Sequence, residues 1–188
     1  PETTFHLLDL ERELVPVIVQ EALPKASMMR DQMLRADSAQ AVILLETAAN
    51  VIADFWNNLA NDGLRVGFHP SIRNFAIVNG QAIFFDTFPP LIHYNRAEMG
   101  RMLLQFSEKR LMRILGPLVR GTVTSIQDEW YSPPETFVGL VGSACRLRPE
   151  DRALFLDWGN GFVTRRMPRW ADEAQAGLKA PPRLPGYW

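Results

Sequence analysis

Residues 69–90, HPSIRNFAIVNGQAIFFDTFPP, decide the reading of this chain. Phe75–Val78 and Ala82–Phe85 are apolar runs that suit two strands. Between them Asn79-Gly80 is a two-residue turn that tolerates positive φ at both positions. The spacing predicts a β-hairpin with Asn74 entering the first strand and Asp86 leaving the second. A tight reversal returns these two polar side chains to one edge. An amide and a carboxylate side by side above an apolar ribbon can seat a hard cation carrying phosphate.

The segments on either side fit an α+β chain that is mostly helical. Phe5–Leu10 and Leu14–Glu21 read as a second, N-terminal hairpin, joined by the charged reversal Glu11-Arg12-Glu13. Met28–Leu34 reads as a short helix and Asp37–Ala60 as the longest one. In that long helix Asp37 is the cap and Gln40 stands at the capping-box position. Val42, Leu45, Ala49, Ile52, Trp56 and Leu59 form its apolar stripe, and Asn61-Asp62-Gly63 is the stop. After Asp86, Pro89-Pro90 forces an extended exit. Arg96–Leu115 carries one or two helices ended by Gly116-Pro117, and Leu118–Trp130 fits no single element. Ser132-Pro133-Pro134-Glu135 opens a helix to Cys145, and Pro149–Trp158 is another helix, ended by Gly159-Asn160-Gly161. The Pro-rich stretch 180–188 reads as an extended tail.

At 188 residues, 47% of them hydrophobic, the chain can bury one good core, so residues 1–188 are expected to form a single domain. Within it, residues 1–23 are the N-terminal hairpin and a hinge-like segment, 24–179 a helical lobe carrying the hairpin 74–86, and 180–188 the tail. A net charge of −1 and a pI near 6.4 argue against a nucleic-acid or anionic-membrane partner. The short cluster Arg165, Arg166, Arg169 and Trp170 is too small to change that reading. Cys145 is the single cysteine, which excludes a disulfide framework and a thiolate metal site. No apolar run is long enough to span a bilayer and no signal-peptide pattern opens the chain, so a soluble, cytoplasmic protein is expected. Of the 20 basic residues only Lys25, Lys109 and Lys179 are lysines. That skew, with abundant Ala and Pro, points to a high-GC bacterial genome.

A polar loop, then Asn74, a hairpin and Asp86-Thr87-Phe88 resemble the catalytic loop and metal-binding segment of the protein-kinase-like superfamily. The aminoglycoside- and choline-kinase branches are the closest in pattern. The family loop reads H-x-D-x-x-x-x-N. Matched on Asn74, this chain has Gly67-Phe68-His69-Pro70-Ser71-Ile72-Arg73-Asn74, which puts His69 where the family has its catalytic Asp. Matched on the His-Pro pair, Gly67 takes that place, and the acid is missing either way. The resemblance implies the C-terminal lobe of a kinase-like fold, with Gln20-Glu21-Ala22-Leu23 at the hinge and Mg²⁺ held by Asn74 and Asp86. With four residues before Phe5, this sequence is expected to lack counterparts of the family's glycine-rich strands, its strand Lys and its helix Glu, if the chain is complete. ATP-dependent transfer is therefore less expected than the motif alone implies.

His69 reads either as a general base replacing the lost carboxylate or as a loop residue that hydrogen-bonds backbone. Asp86 reads as catalytic and metal-binding, or as the cap of the turn that follows it. His93 and Tyr94 can fold back over the hairpin ends, and Arg73 and Arg96 are candidates to meet an anionic substrate. His69, Asp86 and His93 also make a two-His-one-carboxylate set of the kind that binds iron. The expected function is that of a small kinase-derived enzyme acting on a small molecule in bacterial specialised metabolism. Its chemistry would be residual phosphotransfer or an adapted reaction. The alternative is a noncatalytic pseudokinase-like binding protein. Residues 5–21, left without further strands, predict a homodimer or a protein partner at that hairpin.

Overall fold

The computed structural model describes residues 1–10, 13–59, 65–86, 91–92 and 128–180. Asp37 starts its longest element. The Asp37 carboxylate accepts the Gln40 backbone N–H at 2.8 Å, and helix α2 runs from Ser38–Asn58. Ala41, Leu44, Leu45, Ala48, Ala49, Ile52, Ala53 and Trp56 are buried along it, while Val42 and Leu59 lie at its half-buried margin. The buried face is thus wider than one stripe, because α2 has neighbours on several sides. The short helix α1 (Met29–Arg35) precedes it. Helices α3 (Pro133–Leu147), α4 (Arg152–Arg166) and α5 (Ala171–Lys179) complete a helical body in which α3 and α4 pack on α2 and α5 packs on both of them. Ser132 caps α3 by accepting the Glu135 N–H at 3.4 Å, as the Ser-Pro-Pro-Glu pattern predicts.

Two polar ties cross this body. Trp56 donates its indole N–H to the Thr136 hydroxyl at 2.7 Å, joining α2 to α3. Arg148, at the corner between α3 and α4, pairs with Asp151 at 2.6 Å and donates to the carbonyls of Met33 (2.7 Å) and Ala36. Asp151 in turn accepts the Ser38 hydroxyl at 2.6 Å. This buried ion pair has its remaining polar groups satisfied, the condition under which such a pair is tolerated in a core.

The chain is α+β and mostly helical, with two small antiparallel hairpins among the described residues. In the first, β1 (Thr3–Leu10) pairs with β2 (Glu13–Gln20). In the second, β3 (Phe75–Val78) pairs with β4 (Gln81–Phe84) around Asn79 (φ 51°) and Gly80 (φ 77°), the two left-handed residues a primed turn requires. The two hairpins are separate sheets. No described helix is long and apolar enough to cross a membrane.

One boundary differs from expectation. Gly159-Asn160-Gly161 does not end a helix: α4 begins at Arg152, after a turn of 3-10 helix over Pro149–Asp151, and continues through both glycines to Arg166. The reason is packing, since a Cβ on Gly159 would stand 3.3 Å from a Leu178 methyl of α5. The glycine lets two helices approach closely, and the body supplies the stability that a mid-helix glycine removes. Helix α5, which no sequence signal had marked, is the element this approach accommodates. The expected stop at residues 61–63, the exit at Pro89-Pro90, the helices of Arg96–Leu115, the break at Gly116-Pro117 and the tail from 181 onward lie outside the described residues.

Candidate functional site

The β3–β4 hairpin brings its two ends together. Phe75 is opposite Phe84, and the Phe85 N–H donates to the Asn74 carbonyl at 3.1 Å, which extends the pairing by one step. Asn74 Nδ2 then donates to Asp86 Oδ2 at 2.7 Å, so the adjacency expected from the two-residue turn is present. Beneath them lies an aromatic floor. Phe68 packs on Phe84 with centroids 4.3 Å apart, Phe75 packs against both, and Phe55 against Phe68. Phe68 and Phe75 are buried and Phe55 and Phe84 half-buried, so the polar groups beside them turn toward one another.

His69 completes the group. Its Nδ1 lies 2.8 Å from the same Asp86 Oδ2, and its backbone carbonyl accepts a second bond from Asn74 Nδ2 at 3.3 Å. A carboxylate only accepts, so Nδ1 carries the proton and Nε2 keeps its lone pair while the ring is neutral. The side chains of His69 and Asp86 are 25% and 28% exposed, enough for a small molecule to reach them.

Two supports hold His69 in place. Pro70, the next residue, packs on α3 at Gly139, where a Cβ would meet the proline ring at 2.8 Å. On the other side the Phe68 N–H donates to the Trp130 carbonyl at 2.7 Å, and the Trp130 indole lies against the His69 ring with centroids 4.3 Å apart at 30°. Trp130 therefore belongs to the site, though sequence reasoning left its segment unassigned. The Glu-Trp-Tyr triplet just before a strong helix start was the one available signal, since a bulky aromatic at a helix entry is fixed by the cap beside it.

The remaining candidates stand apart from this group. Arg73 lies in the 3-10 turn Ile72–Asn74 with an exposed side chain. His93, Tyr94 and Arg96 lie outside the described residues, and with His93 so does the proposed iron set. Among the described residues no group of three or more His, Cys, Asp or Glu side chains is arranged to hold a metal. Within the described His69, Asn74 and Asp86 group, Asp86 Oδ1 and the Asn74 amide oxygen are the side-chain oxygens outside its internal hydrogen bonds. A cavity of about 290 Å³ lies elsewhere, lined by Glu129, Ser132, Glu135 and Glu173 among others, and none of His69, Asn74 and Asp86 borders it. Burial, and then the neighbouring Glu135 carboxylate, pushes Glu129 up to about 6.

The profile of DUF6206, a family of unknown function, matches residues 1–188. The chain belongs to this family. No curated protein and no solved structure matches it.

Proposed function

We infer that this DUF6206 chain is a small-molecule enzyme of kinase-derived fold in which His69, oriented by Asp86, is the general base. The observation that carries the reading is the 2.8 Å contact between His69 Nδ1 and Asp86 Oδ2. It fixes the tautomer, aims the ring, and stabilises the imidazolium that forms when Nε2 takes a proton from a substrate hydroxyl or a water. Asn74 holds the same carboxylate oxygen from the other side, which keeps Asp86 from rotating away. A positioned base of this kind contributes about 10²- to 10⁴-fold to a rate. In the alignment on Asn74, His69 stands where kinase-like enzymes have their catalytic Asp, so the kinase-derived reading rests on the position and on the order of elements, and not on the residue.

Mg²⁺ fits the site only in a supporting role. Asp86 Oδ1 and the Asn74 oxygen are two ligands, and Mg²⁺ at such sites commonly takes its other oxygens from waters and substrate phosphates. Residual phosphotransfer is the version of the reading that needs this ion, and an adapted reaction on a hydroxyl or water needs only the His-Asp pair. A noncatalytic binding protein is the second reading, favoured by one observation: Asp86 Oδ2 is already engaged by two protein donors.

Melting temperatures measured against a panel of hydroxyl-bearing metabolites, with and without Mg²⁺ and ADP, test these readings. A shift caused by a panel member, lost in both His69→Ala and Asp86→Ala, is expected for an enzyme site here. Turnover of that compound abolished in His69→Ala separates the enzyme from the binding protein. If Mg²⁺ and ADP shift the wild type and Asp86→Ala equally, phosphotransfer at this site is excluded. If every panel shift survives both substitutions, the site reading itself fails.

A further inference from the structure

The β1–β2 hairpin has one competent edge and one blunted edge. Glu21 donates its N–H to the Glu2 carbonyl at 2.9 Å, which identifies Glu2/Glu21 as a bonded pair. Antiparallel pairs alternate, so with the observed register Thr4/Val19, His6/Val17 and Leu8/Val15 are bonded too. Thr3/Gln20, Phe5/Ile18, Leu7/Pro16 and Asp9/Leu14 are the intervening pairs, and their backbone groups point away from the partner strand. Pro16 therefore sits where its missing N–H interrupts the outer edge of β2. The outer edge of β1 has no such gap: Thr3, Phe5, Leu7 and Asp9 all present both N–H and C=O.

This edge belongs to a sheet that nothing described covers. Among the described elements none packs extensively on β1 or β2. Phe5 is 60% exposed, Leu7 59% and Leu14 70%, all on one face, and Leu8 and Val19 are exposed on the other. A two-stranded sheet with both faces wet is marginal by itself.

The geometry points to a second copy of this chain as the occupant, with the two β1 strands pairing antiparallel about a two-fold axis at His6. In that register Thr3 meets Asp9 of the second copy and Phe5 meets its Leu7. Each such pair exchanges two hydrogen bonds, so every outward group from Thr3 to Asp9 finds a partner. The side chains agree with the backbone. Phe5 lies against leucine, the Thr3 hydroxyl faces the Asp9 carboxylate, and no carboxylate faces another. Phe5, Leu7, Leu14, Pro16 and Ile18 of both copies then form one continuous apolar face on a four-stranded sheet. Because Pro16 blunts the far edge on each side, assembly closes at two chains instead of growing into a fibre. The shared edge is about 24 Å long at ~3.4 Å per residue. One strand edge is a small interface, so the pair is expected to be weak and concentration-dependent, to be sought at about tens of micromolar.

Two variants test this on the whole chain. His6 meets its own symmetry mate at a non-bonded pair, where the Cα atoms lie about 4.5 Å apart, within disulfide range. His6→Cys is expected to oxidise to a covalent dimer. Thr4→Cys, whose opposite residue is Leu8, is expected to form no covalent dimer. Background from Cys145 is low because that thiol is buried. Leu7→Pro removes an outward donor without touching a bond inside the hairpin, so sedimentation should show a doubled mass for wild type and a single mass for this variant, with unchanged circular dichroism. A single mass for wild type at tens of micromolar overturns the proposal, and so does equal cross-linking of the two cysteine variants. A Leu7→Pro protein that remains doubled places the contact elsewhere and overturns it as well.

Discussion

The two hairpins are built alike and live in opposite surroundings. In the first, eight-residue strands carry Phe5, Leu7, Leu8, Leu14 and Val19 into solvent. In the second, four-residue strands bury Phe75, Ala76 and Ile77 under the helical body. The edge of β3 is covered as well: Met28 makes a bridge to Ala76, and the Gln32 side chain donates to the Ile77 carbonyl at 3.2 Å. The shorter hairpin is thus the anchored one. Strand length is no guide to stability here, because the core contacts decide it.

The largest expected effect comes from exchanging equivalent residues. Phe75→Ala should cost about 3–5 kcal/mol in chemical denaturation, as for other buried phenylalanines. Phe5→Ala, measured at a concentration too low for association, should stay within about 0.5 kcal/mol of wild type. Equal losses at both positions would mean that the first hairpin is packed on the body after all. A middle-sized effect is expected at the turn. Gly80→Ala forces a Cβ onto φ 77° and should destabilise by roughly 1–2 kcal/mol, together with any ligand response of His69 and Asp86, because the turn sets where they meet. Loss of stability with the ligand response intact would separate the turn from the site.

The smallest effect is electrostatic and falls on the body alone. Glu129 holds its proton more tightly folded than unfolded, so the folded chain binds more protons between pH 4.5 and about 6. Stability should be highest below that window, fall as the pH rises through it, and level off above. Since Glu129 is only half-buried, screening limits the change to below about 1 kcal/mol. Glu129→Gln should flatten this slope in urea melts followed by tryptophan fluorescence, while Phe5→Ala should leave it unchanged. An unaltered slope in Glu129→Gln would assign the titration to another group.

What the sequence discloses follows the range of the signals. Asn79-Gly80 announces β3–β4 because the turn chemistry is contained in two residues, and Asp37 with Gln40 announces α2 because a cap bonds three residues away. From the turn alone the meeting of Asn74 with Asp86 is legible. The His69 contact with that carboxylate is not, since it depends on how the loop is held by Pro70 on Gly139 and by the Trp130 indole. Gly159 misleads for the same reason: its partner, Leu178, is remote in sequence, and locally a Gly-Asn-Gly run reads as a stop.

The pairing of residues 75–84 also acts as a ruler. Phe84 closes it opposite Phe75, and Asp86 lies two residues beyond, where the chain has left the ladder, so the carboxylate reaches Asn74 through the exit of the chain and not through strand alternation. An insertion between Phe75 and Phe84 would therefore move that exit, and the carboxylate with it, relative to Asn74 and His69.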